Sequence, residues 1–355
     1  MSFLARRVGG IGSLCFSLFF SIHLLAAPSL EPRLSIGVVE FDPGIPNDAT
    51  LHRAQGVFPI IRKAEARYLP YLLRQQLVAD ERWGVVRIMP SNYQAADVLV
   101  QGVIKQSNGQ VLGLQILAQD STGRVWIDKM YSAKAVVLDE AGERQRREPF
   151  LAIYRQIAAD LAAVDALLSP QLRRNISTVS TLRYGVDMLP EFFSEYLQAD
   201  ESGLFAVTRL PAEDDPMLAR IERMQAYEYL FIDTADEQYQ SLQADVQKAY
   251  DLWREYSRAQ ILYIDDFKRR AALKKSEYRR GSFGAMTQSY GDYQWFRTQE
   301  QNQMELALGF DNEVLPTVMK LQDRVVTLDG NLQTQYLQWR DILRSMLELE
   351  RGGEP

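Results

Sequence analysis

Two stretches in the C-terminal part of the chain keep a heptad rhythm without a slip. The first runs Tyr239, Leu242, Val246, Ala249, Trp253, Tyr256, Gln260, Tyr263, Phe267, and the second runs Val318, Leu321, Val325, Leu328, Leu332, Gln335, Trp339, Ile342, Met346, Leu349. Steps of three and four draw one apolar seam along a helix, and such a seam is hidden only by another helix. The spacing predicts a long antiparallel coiled-coil hairpin. Gln260 and Gln335 are the single amides on their seams. Either both are tolerated near the core, or they face each other and fix the helix-pairing register. In the second case Phe267 lies opposite Leu328, and Val246 opposite Leu349.

Local signals set the ends of these helices. Asp215-Pro216 is a cap followed by Pro, and neither Gly nor Pro occurs from Met217 to Arg280. An unbroken helix of that length spans about 96 Å. Leu218, Ile221 and Met224 fall out of phase with the later seam, so the helix is either continuous or broken near Asp233 to Asp236. Asp311-Asn312 is expected to cap the last helix, with Pro316 in its first turn. Asp329-Gly330-Asn331 reads as a weak point inside that helix, because Leu328 and Leu332 stay in phase across it.

Between the two seams lies a basic run, Lys268, Arg269, Arg270, Lys274, Lys275, Arg279 and Arg280, and then a loop with Phe283, Tyr290, Tyr293, Trp295 and Phe296 among glycines. A solvated helix end, favoured by the macrodipole, accounts for the last turn of charge. The rings fold back on the helices, or they join the cations at lipid head groups or at a partner protein.

Residues 33–135 carry a different pattern. Leu34 to Phe41 is rich in β-branched residues and ends at Asp42-Pro43-Gly44. Residues 57–79 have helical spacing, with Tyr68, Tyr71, Leu72 and Leu77 on one side and Pro70 as a kink or restart. Gly84 to Ile88, Asp97 to Ile104, Val111 to Ala118 and Arg124 to Tyr131 read as strands. Asn108-Gly109 and Thr122-Gly123 mark the turns of an antiparallel meander. The opening Ser35-Ile36-Gly37-Val38-Val39-Glu40-Phe41 and the hairpin entry Ala96-Asp97-Val98-Leu99-Val100-Gln101-Gly102 match a known pattern. Gly113-Leu114-Gln115-Ile116-Leu117 and Gly123-Arg124-Val125-Trp126 continue it. The segment resembles the periplasmic α/β domain of the curli-secretion outer-membrane family and the amino-terminal domain of the Tol–Pal translocation protein. The resemblance implies an adaptor-like domain in a bacterial envelope protein. The lipidated Cys and membrane-spanning hairpins of the curli family have no counterpart here, so pore formation is not implied.

From Pro149 onward strand signals end. Pro149, Ser169-Pro170 and Leu189-Pro190 each open a helix, and the acidic stretch 198–214 reads as a linker. At the N-terminus, Arg6 and Arg7 precede the apolar run Ile11 to Leu25 and then Ala26-Ala27-Pro28. Basic, apolar and small residues in that order predict a cleavable export signal over 1–26 and a periplasmic location. Its removal takes the net charge from −6 to −8, since Arg6 and Arg7 are its only charges. An acidic chain speaks against nucleic acid as a partner.

Cys15 and His23 both fall in the signal, which leaves His52 as the one imidazole. That excludes disulfides, a Cys nucleophile and a His/Cys zinc site. No phosphate loop, dinucleotide fingerprint or Gly-x-Ser-x-Gly elbow occurs. Neither a catalytic residue, a cofactor nor a metal is expected. The chain reads as an α+β protein. A mixed α/β sandwich-like, adaptor-like domain over 27–140 leads through a helical connector at 145–200 to a coiled-coil domain at 213–350. The function it implies is a non-enzymatic accessory or scaffold protein. Its partner would be an envelope complex such as a secretin, or an anionic membrane surface. Asp265-Asp266 and Glu213-Asp214-Asp215 keep a second reading open, an enzyme acting on the cell wall through Asp/Glu residues. A periplasmic ligand-binding protein is a third.

Overall fold

The computed structural model describes residues 33–48, 50, 52, 57–90, 96–135, 148–212, 214–274, 301, 316–321, 324–330 and 332–352. Five strands form a mixed sheet: β1 (Ile36–Val39), β2 (Val86–Met89), β3 (Val98–Ser107), β4 (Val111–Asp120) and β5 (Val125–Lys134), in the order β2-β1-β3-β4-β5. β1 is parallel to both neighbours, whereas β3, β4 and β5 form the antiparallel meander. Gly109 and Gly123 take positive φ at the two turns, as those turns demand. Parallel pairing of β1 with β2 needs a crossover, and α1 (Pro59–Ala79) supplies it.

The helix α1 continues through Pro70 and does not restart there. Proline at 70 cannot donate to the carbonyl of Ala66. That oxygen instead accepts from the backbone N–H of Phe41, 2.8 Å away, so the missing helix bond ties α1 to the end of β1.

The remaining elements follow the cap signals. α2 (Leu151–Asp165) and α3 (Pro170–Met188) are separated at Ser169, whose Oγ accepts from Leu172 N at 3.2 Å. A short α4 (Pro190–Phe193) leads to β6 (Leu197–Ala199) and β7 (Phe205–Val207). The expected linker over 198–214 is therefore in large part a small hairpin. It is held to the β4–β5 turn by Phe205 N donating to Thr122 O at 2.8 Å, and to α3 by Arg183, stacked 4.6 Å from the Phe205 ring. Then comes α5 (Pro216–Lys274), a single 59-residue helix with no break at Asp233 to Asp236. It starts where Asp215 accepts from Met217 N at 2.8 Å.

The second heptad seam does not form one helix. Its first third folds as β8 (Thr317–Leu321) and β9 (Arg324–Leu328), paired antiparallel, and α6 (Leu332–Gly352) begins only after Gly330. β-Branched Thr317, Val318, Val325, Val326 and Thr327 favour the pleated form. Leu321 and Leu328 are buried in the hairpin as they would be on the seam, while Val318 and Val325 point outward, 58% and 69% exposed. Asp329-Gly330 is thus an end and not a weak point, and Pro316 precedes a strand.

α6 does pack antiparallel on α5, but against its first turns. Arg220 lies 3.8 Å from Glu350, and Trp339 Nε1 donates to Tyr227 O at 3.1 Å. Leu218, Ile221 and Met224, out of phase with the later seam, are what this contact uses. The expected pairing of Gln335 with Gln260 falls outside the described residues at Gln260's side chain; the bonds described for Gln335 go to the β8–β9 hairpin and its exit. Gln335 accepts from Thr317 Oγ1 at 2.6 Å and donates to Gly330 O at 2.9 Å, fastening the hairpin to α6.

One sheet face, with Ile36, Val38, Val98, Val100, Leu112, Leu114 and Ile116, is covered by α1 and α2. The other, at Val39, Met89 and Ala96, is covered by α3, α6, β8 and β9. α5 belongs to both cores, through Ile221, Met224, Phe231 and Ile232 on the second and Tyr250 and Trp253 on the first. It passes from one to the other beside the edge strand β2, which closes that edge.

Candidate functional site

The chemistry in the described residues is concentrated along the buried side of α5, in three clusters. At the first, Glu228 is fully buried. Tyr336 donates to Glu228 Oε1, and Arg340 Nε lies 3.9 Å from Oε2. Arg340 also bonds Asp187. Phe231 stacks on Trp339 with ring centroids 6.3 Å apart. Burial pushes the Glu228 carboxyl up, against the pull of Arg340 and Tyr336.

The second cluster grips β2. Arg87 forks onto Asp233 with bonds of 2.7 and 3.0 Å and lies 4.2 Å over the Tyr229 ring. Arg74 donates to Val86 O at 3.0 Å and stands 3.5 Å from Asp236. Burial pushes the Asp236 carboxyl up to about 6, with Arg74 opposing.

The third cluster joins α5 to α1, α2 and the β3–β4 turn. Glu65 is fully buried, and its Oε1 accepts from Tyr250 Oη at 2.7 Å and from Ser107. Arg62 stands 3.6 Å from its other oxygen. Burial raises the Glu65 carboxyl despite these partners. Arg254, 5% exposed, donates from Nη1 to Glu148 Oε2 at 2.9 Å, and its Nη2 lies 2.8 Å from Oε1 in the same ion pair. Its guanidinium lies 4.0 Å over the Tyr250 ring and 5.1 Å over that of Phe150. Gly109 closes the contact: a Cβ there would come within 2.6 Å of Arg254 O, so no larger residue fits without movement.

These carboxylates are poor candidates for acid–base work, because their oxygens face arginine and tyrosine and not a cleft open to substrate. The acidic pairs singled out in the sequence are no better placed. Asp215 caps α5, Asp214 is exposed and Asp266 is half-buried on the far part of α5. Glu213 and the side chain of Asp265 lie outside the described residues. His52 Nε2 is 2.7 Å from Pro46 O. Among the described residues, no group of three or more His, Cys, Asp or Glu side chains could hold a metal ion, and no helix is long and apolar enough to cross a membrane.

The basic run is split by the description. Lys268, Arg269, Arg270 and Lys274 lie on α5, with Arg269 exposed. The side chains of the other three are outside the described residues, as are Lys275, Arg279, Arg280, Phe283, Tyr290, Tyr293, Trp295 and Phe296. Upstream of the run, Leu252, Tyr256 and Leu262 are 46%, 37% and 52% exposed. Sequence reasoning missed Glu65, Glu228, Arg254 and Arg340. The available signal was a charge at a core position of the helical period: Glu65 between Ile61 and Leu69, Glu228 between Met224 and Ile232.

No family model matches the chain, nor does any curated protein or solved structure.

Proposed function

We propose that the chain is a non-enzymatic periplasmic scaffold that supports assembly of an envelope complex, such as an outer-membrane secretion apparatus. The observation that carries this reading is the division of labour along α5. Its inward side is spent on three buried clusters from Glu228 to Ser257, and the helix then continues to Lys274. The 17 residues that follow Ser257 measure about 26 Å at the α-helical rise and bring Leu262 and Arg269 to the surface. The heptad positions Gln260, Tyr263 and Phe267 lie on the same stretch. A helix anchored firmly at one end and apolar with cations at the other suits a partner helix or an acidic envelope surface. The export signal expected over 1–26 supplies the compartment.

A photo-crosslinking side chain placed at Leu262 in intact cells should give one dominant adduct with another envelope protein. The same group at exposed Leu167 on the body should not. Equal labelling from both sites, or hydrolysis of purified peptidoglycan by the isolated mature chain, would remove the scaffold reading.

A further inference from the structure

The sheet has a closed edge and an open one. β2 is gripped by α5 through Arg87–Asp233, and by Arg74 of α1, which donates to Val86 O and stands beside Asp236 of α5. β5, ten residues long, pairs only with β4 among the described residues. Every second residue of β5 therefore directs its N–H and C=O away from the sheet. The half of the sheet beside that edge is also open on the face opposite α1 and α2: Gln101, Asp128, Met130, Ser132 and Lys134 are all exposed.

The charges on β5 suit one occupant. On the open face the strand reads Asp128, Met130, Ser132, Lys134, acid at one end and base at the other. An antiparallel second copy centred on Tyr131 sets Asp128 opposite Lys134 twice and Met130 opposite Ser132 twice. Gln115 on β4 donates to Asp128 Oδ1 at 2.7 Å and holds the carboxylate in place on that face. Centring on Lys129 or on Asp128 instead sets like charges against each other at the two-fold axis. We infer that β5 is a self-association edge, at which two copies of this chain join antiparallel about Tyr131 into one ten-stranded sheet. The inference is independent of the role proposed for α5.

The test is a charge cycle on the full chain, read by sedimentation over a dilution series. The native chain should dimerise reversibly. Asp128→Lys sets Lys against Lys twice and should raise the dimer dissociation constant about tenfold or more. Asp128→Lys combined with Lys134→Asp should restore it. Register is read separately, in chains carrying Cys15→Ser so that no other thiol is present. Oxidation of a mixture of Met130→Cys and Ser132→Cys chains should yield a crosslinked dimer, and neither variant should crosslink alone. A native chain that stays monomeric at every concentration overturns the inference. So does crosslinking of Met130→Cys with itself, or a double charge variant no tighter than Asp128→Lys.

Discussion

Replacing Arg254 by Ala should lower the free energy of unfolding by about 3–5 kcal/mol, the cost of breaking a buried ion pair from one side. The reason is the number of groups that depend on this guanidinium. Glu148 is 10% exposed at its side chain and is paired with Arg254 through one hydrogen bond and a second close ion contact. Tyr250 and Phe150 lie under the same cation, and Tyr250 in turn bonds Glu65. Removing the charge leaves one carboxylate desolvated without its partner and loosens α5 over the β3–β4 turn. Arg254→Met should cost less, because it keeps the stem packed on the rings. Chemical denaturation of the three proteins measures the order native, Met, Ala. Equal stability of native and Ala forms would mean that α5 is not fastened at this point.

Acid should stabilise this protein, relative to its behaviour at neutral pH, over a range where many proteins begin to weaken. The Asp236 carboxyl is raised by burial to about 6, above its ordinary 3.8. The folded state therefore takes up a proton between those values while the unfolded chain does not. Stability from this group is fully present below about 4 and is lost as pH rises through 6. A difference of about two units corresponds to about 3 kcal/mol. Glu65 and Glu228 are shifted in the same direction by burial. Asp160 is held below the usual range by Lys129 and Tyr131 and opposes them only at lower pH. Denaturation midpoints should therefore rise from pH 7.5 to pH 5.5. Asp236→Asn should flatten that rise, because the amide is neutral throughout. A midpoint that falls on acidification, equally in both proteins, would contradict the assignment.

The elements that could be read from sequence were those with a local cause. Asn108-Gly109 and Thr122-Gly123 fixed the meander, because positive φ is required there and glycine supplies it. Ser169 and Asp215, each before a proline, fixed two helix starts. The heptad argument failed where periodicity is ambiguous. Leu321 and Leu328 point inward in a hairpin as well as on a helix, and only the exposed Val318 and Val325 tell the two apart. Pro70 does not start a new helix because its rescue is non-local: the freed Ala66 carbonyl finds Phe41, 25 positions away in the chain. The buried charges escaped for a related reason. Glu65 and Arg254 look like surface residues until Tyr250, Ser107 and Glu148 arrive from distant segments. On the proposed arm, the sequence placed cations and rings after Phe267, and the structure carries the helix that bears the first of them through Lys274.

The most direct test of the central claim separates the body from the arm. Lys274, Lys275, Arg279 and Arg280 are replaced together by Gln, and the native and variant chains are compared in cells by affinity recovery of crosslinked envelope proteins. The scaffold account predicts an unchanged melting temperature with partner recovery reduced several-fold and made less sensitive to salt, since surface cations act through screened attraction. Full recovery of the same partner by the quadruple variant would show that the basic run is only a solvated helix end, and would contradict the account.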